Sequence, residues 1–394
     1  MKINQAGRGL LEMEKQRGLH GTIEVTMDHN VSEEVLRQAL TETLEVYPLV
    51  NCSLILKDNM AYYVQNDKPV VILNQKNGIV PGSEKLNGHF YYVNYYENRI
   101  TVSISHAVTD GRGFLEFIKT LIYYYCCYYD QKSYDPDGVR INNGIKYEDD
   151  EANFFELPFE DMKDVKKETC EKQGFVIPAY KNKQQQPNVS MEIVVPSSDF
   201  MRIVKENGTN PSIMMFLLFS QVIYKCNPEE EQAVIGRITV DARKALGIPH
   251  TIMNCSLGTH FSVDRKMLED ETISDIAPRL KCSLKKQTSS EYLKQMVCDL
   301  IREKALLPDV KPTVSISYMG TVSFGDCGRH IQSFVMYEGE CHKIDFYEFN
   351  EGFHFNLHFG NNTEEYGNAM IEILKGYGAQ VEKSRLRRID NEEA

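Results

Sequence analysis

The chain has 394 residues, enough for about two or three domains with a sizeable core. Its 56 acidic residues against 44 Lys and Arg give a net charge of −12, which disfavours nucleic acid or an anionic membrane as the main partner, since neither is drawn to such a surface. No window holds the eighteen or so apolar residues of a membrane span, Met1-Lys2-Ile3-Asn4-Gln5 lacks an apolar signal core, and the ten cysteines show no C-x-x-C spacing, so a cytoplasmic protein with reduced thiols is expected.

In chain order, Ile23, Val25 and Met27 alternate as a strand from Thr22 to Met27, and Asp28-His29-Asn30 follow. A helix is expected from about Ser32, with Val35, Leu36, Ala39, Leu40 and Leu44 inward and Pro48 at its end. Further strands are expected at Ser53 to Leu56, Ala61 to Val64, Val70 to Leu73 and His89 to Tyr95. The run Ile100 to Ser105 then alternates apolar with hydroxyl residues, and His106 has the parity of Ile100, Val102 and Ile104. The imidazole should therefore emerge at the strand end on the apolar side. Gly111 and Gly113 loosen the turn into a helix on which Phe114, Phe117, Ile118, Leu121, Ile122 and Tyr125 form one face. The tyrosine-rich run from Tyr123 to Tyr129 continues that face, so core packing is expected for its inward members.

From about Asp130 to Asn188 the composition turns charged and amide-rich, as in Glu148-Asp149-Asp150-Glu151 and Lys183-Gln184-Gln185-Gln186-Pro187, with a short ordered stretch at Phe154 to Phe159. We divide the chain into an amino-terminal α/β domain at 1–150, a crossover at 151–188 and a carboxy-terminal α/β domain at 189–394. In the second half, strands are expected at Val189 to Val195, Ala233 to Val240, Gly258 to Val263 and Thr313 to Tyr318. Helices are expected near Asp199 to Glu206, Pro211 to Cys226, Ile273 to Leu284 and Ser290 to Lys304. Thr101 to Ser105 and Thr313 to Ser317 are identical five-residue runs, as a pseudo-duplicated fold would leave, with Tyr318 in the place of His106.

The run His106-Ala107-Val108-Thr109-Asp110-Gly111 after a strand resembles the H-x-x-x-D-G signature of the chloramphenicol acetyltransferase-like superfamily, which holds alcohol O-acetyltransferases and the condensation domains of peptide synthetases. Asp241-Ala242-Arg243 with Met253-Asn254 resembles a second landmark, although Met253 replaces a glycine. Met319-Gly320-Thr321 and Ser323 to Asp326 look like a third. The plant branch carries a tryptophan there, and this chain has none. The resemblance implies two α/β domains of mixed sheets with helices, an active-site tunnel between them, and an aspartate, Asp110, paired with Arg243 to hold the loop.

For such chemistry a base must take the acceptor's proton, and a histidine with a pKa of about 6.5 is neutral at cell pH. His106 is the expected base. The thioester donor is already activated, and the chain has no G-x-S-x-G elbow, so no acyl-enzyme is expected. Ser317 and Tyr318 are candidates to meet the oxyanion or the acceptor. The co-substrate implied is acyl-coenzyme A, acetyl first, with no permanently bound cofactor and a small alcohol or amine as acceptor. The alternatives are a condensation-type enzyme or N-acyltransferase drawing on an acyl-carrier protein, and a catalytically silent binding protein. No metal is expected: His354 and His358 share a strand face without a third ligand, and a solvated or tunnel-lining face is the better reading. Lys281, Lys285 and Lys286 are read as a wet helix surface rather than a coenzyme A site.

Overall fold

A computed structural model describes residues 2–3, 20–57, 60–79, 81–157, 173–178, 189–303, 310–338 and 342–388. The run Lys183 to Pro187 and the end of the stretch at Phe154 to Phe159 lie outside them. The first half supplies β1 (Lys2–Ile3), β2 (His20–Met27), β3 (Cys52–Lys57), β4 (Met60–Gln65), β5 (Ile72–Asn74), β6 (Tyr91–Tyr96) and β7 (Arg99–Ser105). The second supplies β8 (Val189–Pro196), β9 (Val234–Asp241), β10 (Ser256–Val263), β11 (Val314–Thr321), β12 (Ile331–Glu338), β13 (Lys343–Phe349), β14 (Gly352–His358) and β15 (Lys383–Arg388). Two larger sheets result, in the orders β12-β2-β7-β6-β5 and β10-β9-β11-β13-β14-β8-β15, beside a small β1-β4-β3 sheet.

Each large sheet buries apolar side chains under helices. Ile23, Val25, Met27, Ile100, Val102 and Ile104 pack against Leu36, Ala39 and Leu40 of the helix Glu33–Val46 and Phe114, Phe117 and Leu121 of the helix Gly111–Tyr129. In the second half Ile193, Val314, Ile316, Phe346, Phe353 and Phe355 pack with the almost wholly buried helix Pro211–Cys226. The twin runs Thr101 to Ser105 and Thr313 to Ser317 fall on β7 and at the start of β11, both interior strands of their sheets. Tyr123 and Tyr125 are buried, while Tyr129 is 39% exposed.

One strand crosses between the halves. β12 leaves the second half and pairs antiparallel with β2, so one strand of the first sheet comes from the far end of the chain. It also touches the second sheet, where the Tyr347 hydroxyl donates to the Phe334 carbonyl at 2.8 Å and Asn356 Nδ2 to the Met336 carbonyl at 3.2 Å. Arg387 of β15 reaches from Glu192, at 3.0 Å, toward Glu24 of β2, at 4.0 Å. The charged run near 149 is tied down as well. Asp149 accepts from the backbone N–H of His250 and meets its Nδ1, both at 2.8 Å, and Asp150 pairs with Arg140 at 2.7 Å.

Candidate active site

β7 ends at Ser105, and the turn that follows is closed by N–H bonds from Val108 and Thr109 back to the Ser105 carbonyl. Ser105 Oγ also accepts from Ala107 N at 3.1 Å. His106 leaves this turn half-buried, on the side of Gly21 and Phe114: a Cβ built on Gly21 would lie 3.9 Å from the ring's Cε1 and 3.2 Å from Phe114. Its Nδ1 lies 3.1 Å from the Thr109 carbonyl. A carbonyl only accepts, so Nδ1 carries the proton and the neutral ring's lone pair is on Nε2.

Asp110 caps the helix Gly111–Tyr129, its Oδ1 accepting from Gly113 N at 2.9 Å. The same oxygen accepts from Arg243 Nη2 at 2.9 Å, and Oδ2 accepts from Cys255 N at 2.7 Å. Pair and cap are both buried, with Asp110 and Arg243 each 4% exposed. Arg243 also donates to the Thr251 and Met253 carbonyls and to Asp241. Burial opposes its charge, yet the Asp110 carboxylate and its other anionic neighbours hold its pKa above the ordinary arginine value. The carboxylate is thus committed to the loop at 251–255, while the imidazole is oriented by a backbone carbonyl.

That loop closes on the histidine turn from the second half. Thr109 forms an antiparallel bridge with Met253, Thr109 Oγ1 donates to the Ile252 carbonyl at 2.6 Å, and Asn254 Nδ2 donates to the His106 carbonyl at 3.0 Å. The methionine at 253 is accommodated because its backbone has no left-handed φ to adopt. Gly111 and Gly113 have no positive φ either, so their role differs from loosening a turn. A Cβ on Gly113 would collide with Thr109 Oγ1 and the Ile252 carbonyl, and one on Gly111 would lie 3.1 Å from Met319 Sδ and 3.2 Å from Met336 Cε. Gly113 is required by close approach to backbone, while at Gly111 the two methionine side chains would have to give way by a few tenths of an ångström.

Ser317 and Tyr318 lie on opposite faces of β11. Ser317 is buried and shares its face with Met319, its Oγ 3.8 Å from the Met319 sulfur that borders Gly111. The Tyr318 ring stacks on Phe346 at 4.7 Å in the second core. His20 was missed by a strand reading that began at Thr22, although β2 continues to it. It pairs in register with Ser105, is 5% exposed, and burial, with His106 nearby, pushes it down to about 4. Its position on β2 beyond Gly21, on the face of Thr22 and Glu24, carries no apolar signal that would have pointed to it.

Other groups stand apart. His358 is buried, not solvated, and desolvation lowers it to about 3. His354 is half-buried against Glu192 at 3.2 Å and stacks on Tyr347. Lys281 donates to the Gly208 and Thr209 carbonyls. A cavity of about 470 Å³ lined by Gln221, Arg265 and Tyr377 involves none of the residues around His106. No helix among the described residues is long and apolar enough to cross a membrane.

No family model and no curated protein matches the sequence. Solved structures match it over nearly its whole length. The TRI101 protein of F. graminearum, complexed with coenzyme A and deoxynivalenol, is 12% identical with a TM-score of 0.65, covering 97% of this chain and 99% of that one. Polyketide synthase associated protein 5 from Mycobacterium tuberculosis is 12% identical with a TM-score of 0.63, over 95% and 96%. The first condensation domain of the CDA synthetase is 12% identical with a TM-score of 0.61, over 98% and 99%. With the sheet orders and the docked histidine turn, these likenesses give the chain the chloramphenicol acetyltransferase-like α/β fold.

Proposed function

We propose that the chain is an acyltransferase that moves an acyl group from a thioester, acyl-coenzyme A, to the hydroxyl of a small acceptor, with His106 as general base. The observation that carries this reading is the half-buried imidazole held by the Thr109 carbonyl so that its lone pair is on Nε2, in a turn clamped between the halves. The acceptor O–H gives its proton to Nε2 as its oxygen attacks the thioester carbon. Collapse of the tetrahedral intermediate breaks the C–S bond, and the departing thiolate takes the proton back from the imidazolium. No acyl-enzyme forms. Ser317, on the face of β11 that carries Met319, is the side chain we assign to the oxyanion. Tyr318 is spent on core packing. We place the donor and acceptor in a passage between the units at 1–150 and 189–394, joined through 151–188.

Thiol release from acetyl-coenzyme A tests this, with deoxynivalenol and simple alcohols and amines as acceptors, and with an acyl-loaded carrier protein as a parallel donor. The expected result is acceptor-dependent release that His106→Ala lowers on the order of 10²–10⁴-fold. Release from the carrier alone would assign the condensation-type donor, which the likeness to a condensation domain supports. Release from neither donor, or release indifferent to His106→Ala, would make the chain a silent binding protein of this fold.

A further inference from the structure

Far from the acyl-transfer site, the turn after β2 meets the residue that precedes β12. One ligand atom each from Asp28, His29 and His330 lies within 4.8 Å of the others. His330 Nδ1 stands 3.2 and 3.3 Å from the two Asp28 carboxylate oxygens, and His29 Nδ1 closes on Asp28 Oδ1. An ion with bonds of 2.0–2.1 Å in a tetrahedral shell has ligand-to-ligand edges of about 3.3 Å. The backbone is fixed on both sides: Asp28 N donates to the His330 carbonyl at 2.8 Å, and Met27 pairs with Ile331.

Supporting groups surround the cluster. His330 Nε2 lies 2.9 Å from Asp130 Oδ2, and Asp130 is held by Arg329 at 2.8 Å and by the Tyr134 hydroxyl. A carboxylate behind a ligating histidine fixes its tautomer and raises its basicity. The Tyr129 ring stacks on His29 with centroids 3.6 Å apart, and the Tyr125 hydroxyl lies 3.4 Å from its Nε2. His330 therefore has a carboxylate at each nitrogen and His29 one at its Nδ1. Arg329 Nε also stands 3.2 Å from His330 Nε2. Asp28, Asp130 and Arg329 sum to one negative charge, so the surroundings favour a cation. Asp28 is 41% exposed at its side chain, so water can complete the shell.

We propose that Asp28, His29 and His330 bind a divalent transition-metal ion of the zinc class, with Asp130 as the carboxylate behind His330, stapling β12 to the turn after β2. The imidazole and carboxylate donors suit zinc or cobalt rather than calcium or magnesium. This site stands independently of the acyl-transfer reading.

The test is isothermal titration of zinc chloride into the full chain after chelator treatment at pH 7.5, run beside His29→Gln, His330→Gln and Asp130→Asn. Wild type should take up one zinc more than either histidine variant, and Asp130→Asn should weaken that site about 10–100-fold. Saturation should raise the wild-type Tm by on the order of a few degrees. Cobalt(II) added to wild type should give visible d–d bands without a thiolate charge-transfer band, bleached by zinc. Equal zinc uptake by wild type and the histidine variants, no uptake at all, or a thiolate-dominated cobalt spectrum would overturn the proposal. Should the histidine variants fail to fold, the cobalt spectrum of wild type decides alone.

Discussion

Removing the Asp110 carboxylate separates a loop-holding role from one exerted on the imidazole. Asp110→Ala leaves the Arg243 guanidinium, 4% exposed, facing only Asp241 at 2.9 Å and two carbonyls, and it strips the cap from the helix Gly111–Tyr129 and the acceptor from Cys255 N. Breaking a buried ion pair on one side costs about 3–5 kcal/mol and losing a cap about 1 kcal/mol. The retained partners of Arg243 offset part of this, so about 4 kcal/mol is expected. Asp110→Asn keeps an oxygen for the cap and should cost roughly half as much. The chain has no tryptophan, so urea unfolding is best followed by far-ultraviolet circular dichroism, where a loss of this size moves the midpoint by about 1–2 M. Thiol release measured alongside should follow the folded fraction in both variants. An unmoved midpoint in Asp110→Ala refutes the structural role. So does an Asp110→Asn variant that is fully stable but silent in the thiol assay, since that is how a carboxylate orienting the base would behave.

Acidification should weaken the fold before the carboxylates titrate. Burial lowers His20, His260 and His342 to about 4 and His358 to about 3, so between pH 6.5 and 4.5 the unfolded chain binds protons that the native state refuses. Stability then falls as pH falls, each histidine adding up to about 1.4 kcal/mol per pH unit. Urea midpoints that stay level from pH 7 to 5 would contradict this. Gly113→Ala forces a methyl group against Thr109 Oγ1 and the Ile252 carbonyl, and should cost about 1–3 kcal/mol with loss of thiol release; a variant with wild-type melting would refute the close-approach argument. Ser317→Ala should lower kcat on the order of 10²-fold without moving Tm, whereas Tyr318→Phe should leave kcat alone, and the reverse pattern would return the oxyanion role to the tyrosine.

What could be read from the sequence was what local periodicity encodes. The alternation of Ile100, Val102 and Ile104 marks β7 and the side of the sheet to which His106 belongs, and the apolar face from Phe114 to Tyr125 marks the helix that follows. The pairing of Asp110 with Arg243 came only through the resemblance, because nothing local connects residues 133 positions apart. The function of Gly113 was misjudged for a related reason: a glycine demanded by a neighbour from another segment looks like one demanded by its own φ. β12 was hidden because its partner is at the other end of the chain, and His330 could be joined to Asp28 only across 302 positions. The charged run near Asp149 has the composition of a linker, yet its side chains are claimed by His250 and Arg140.

The borrowed strand sets an order on the making of the molecule. β2 leaves the ribosome early, but Ile331–Glu338, which covers its outer edge, follows about 300 residues later. At about 5–20 residues per second this is a delay on the order of tens of seconds. Once β7 has paired with its inner side, the outer edge of β2 keeps open hydrogen-bonding groups throughout that interval, and it is then that a chaperone, or a second nascent chain, has its opportunity.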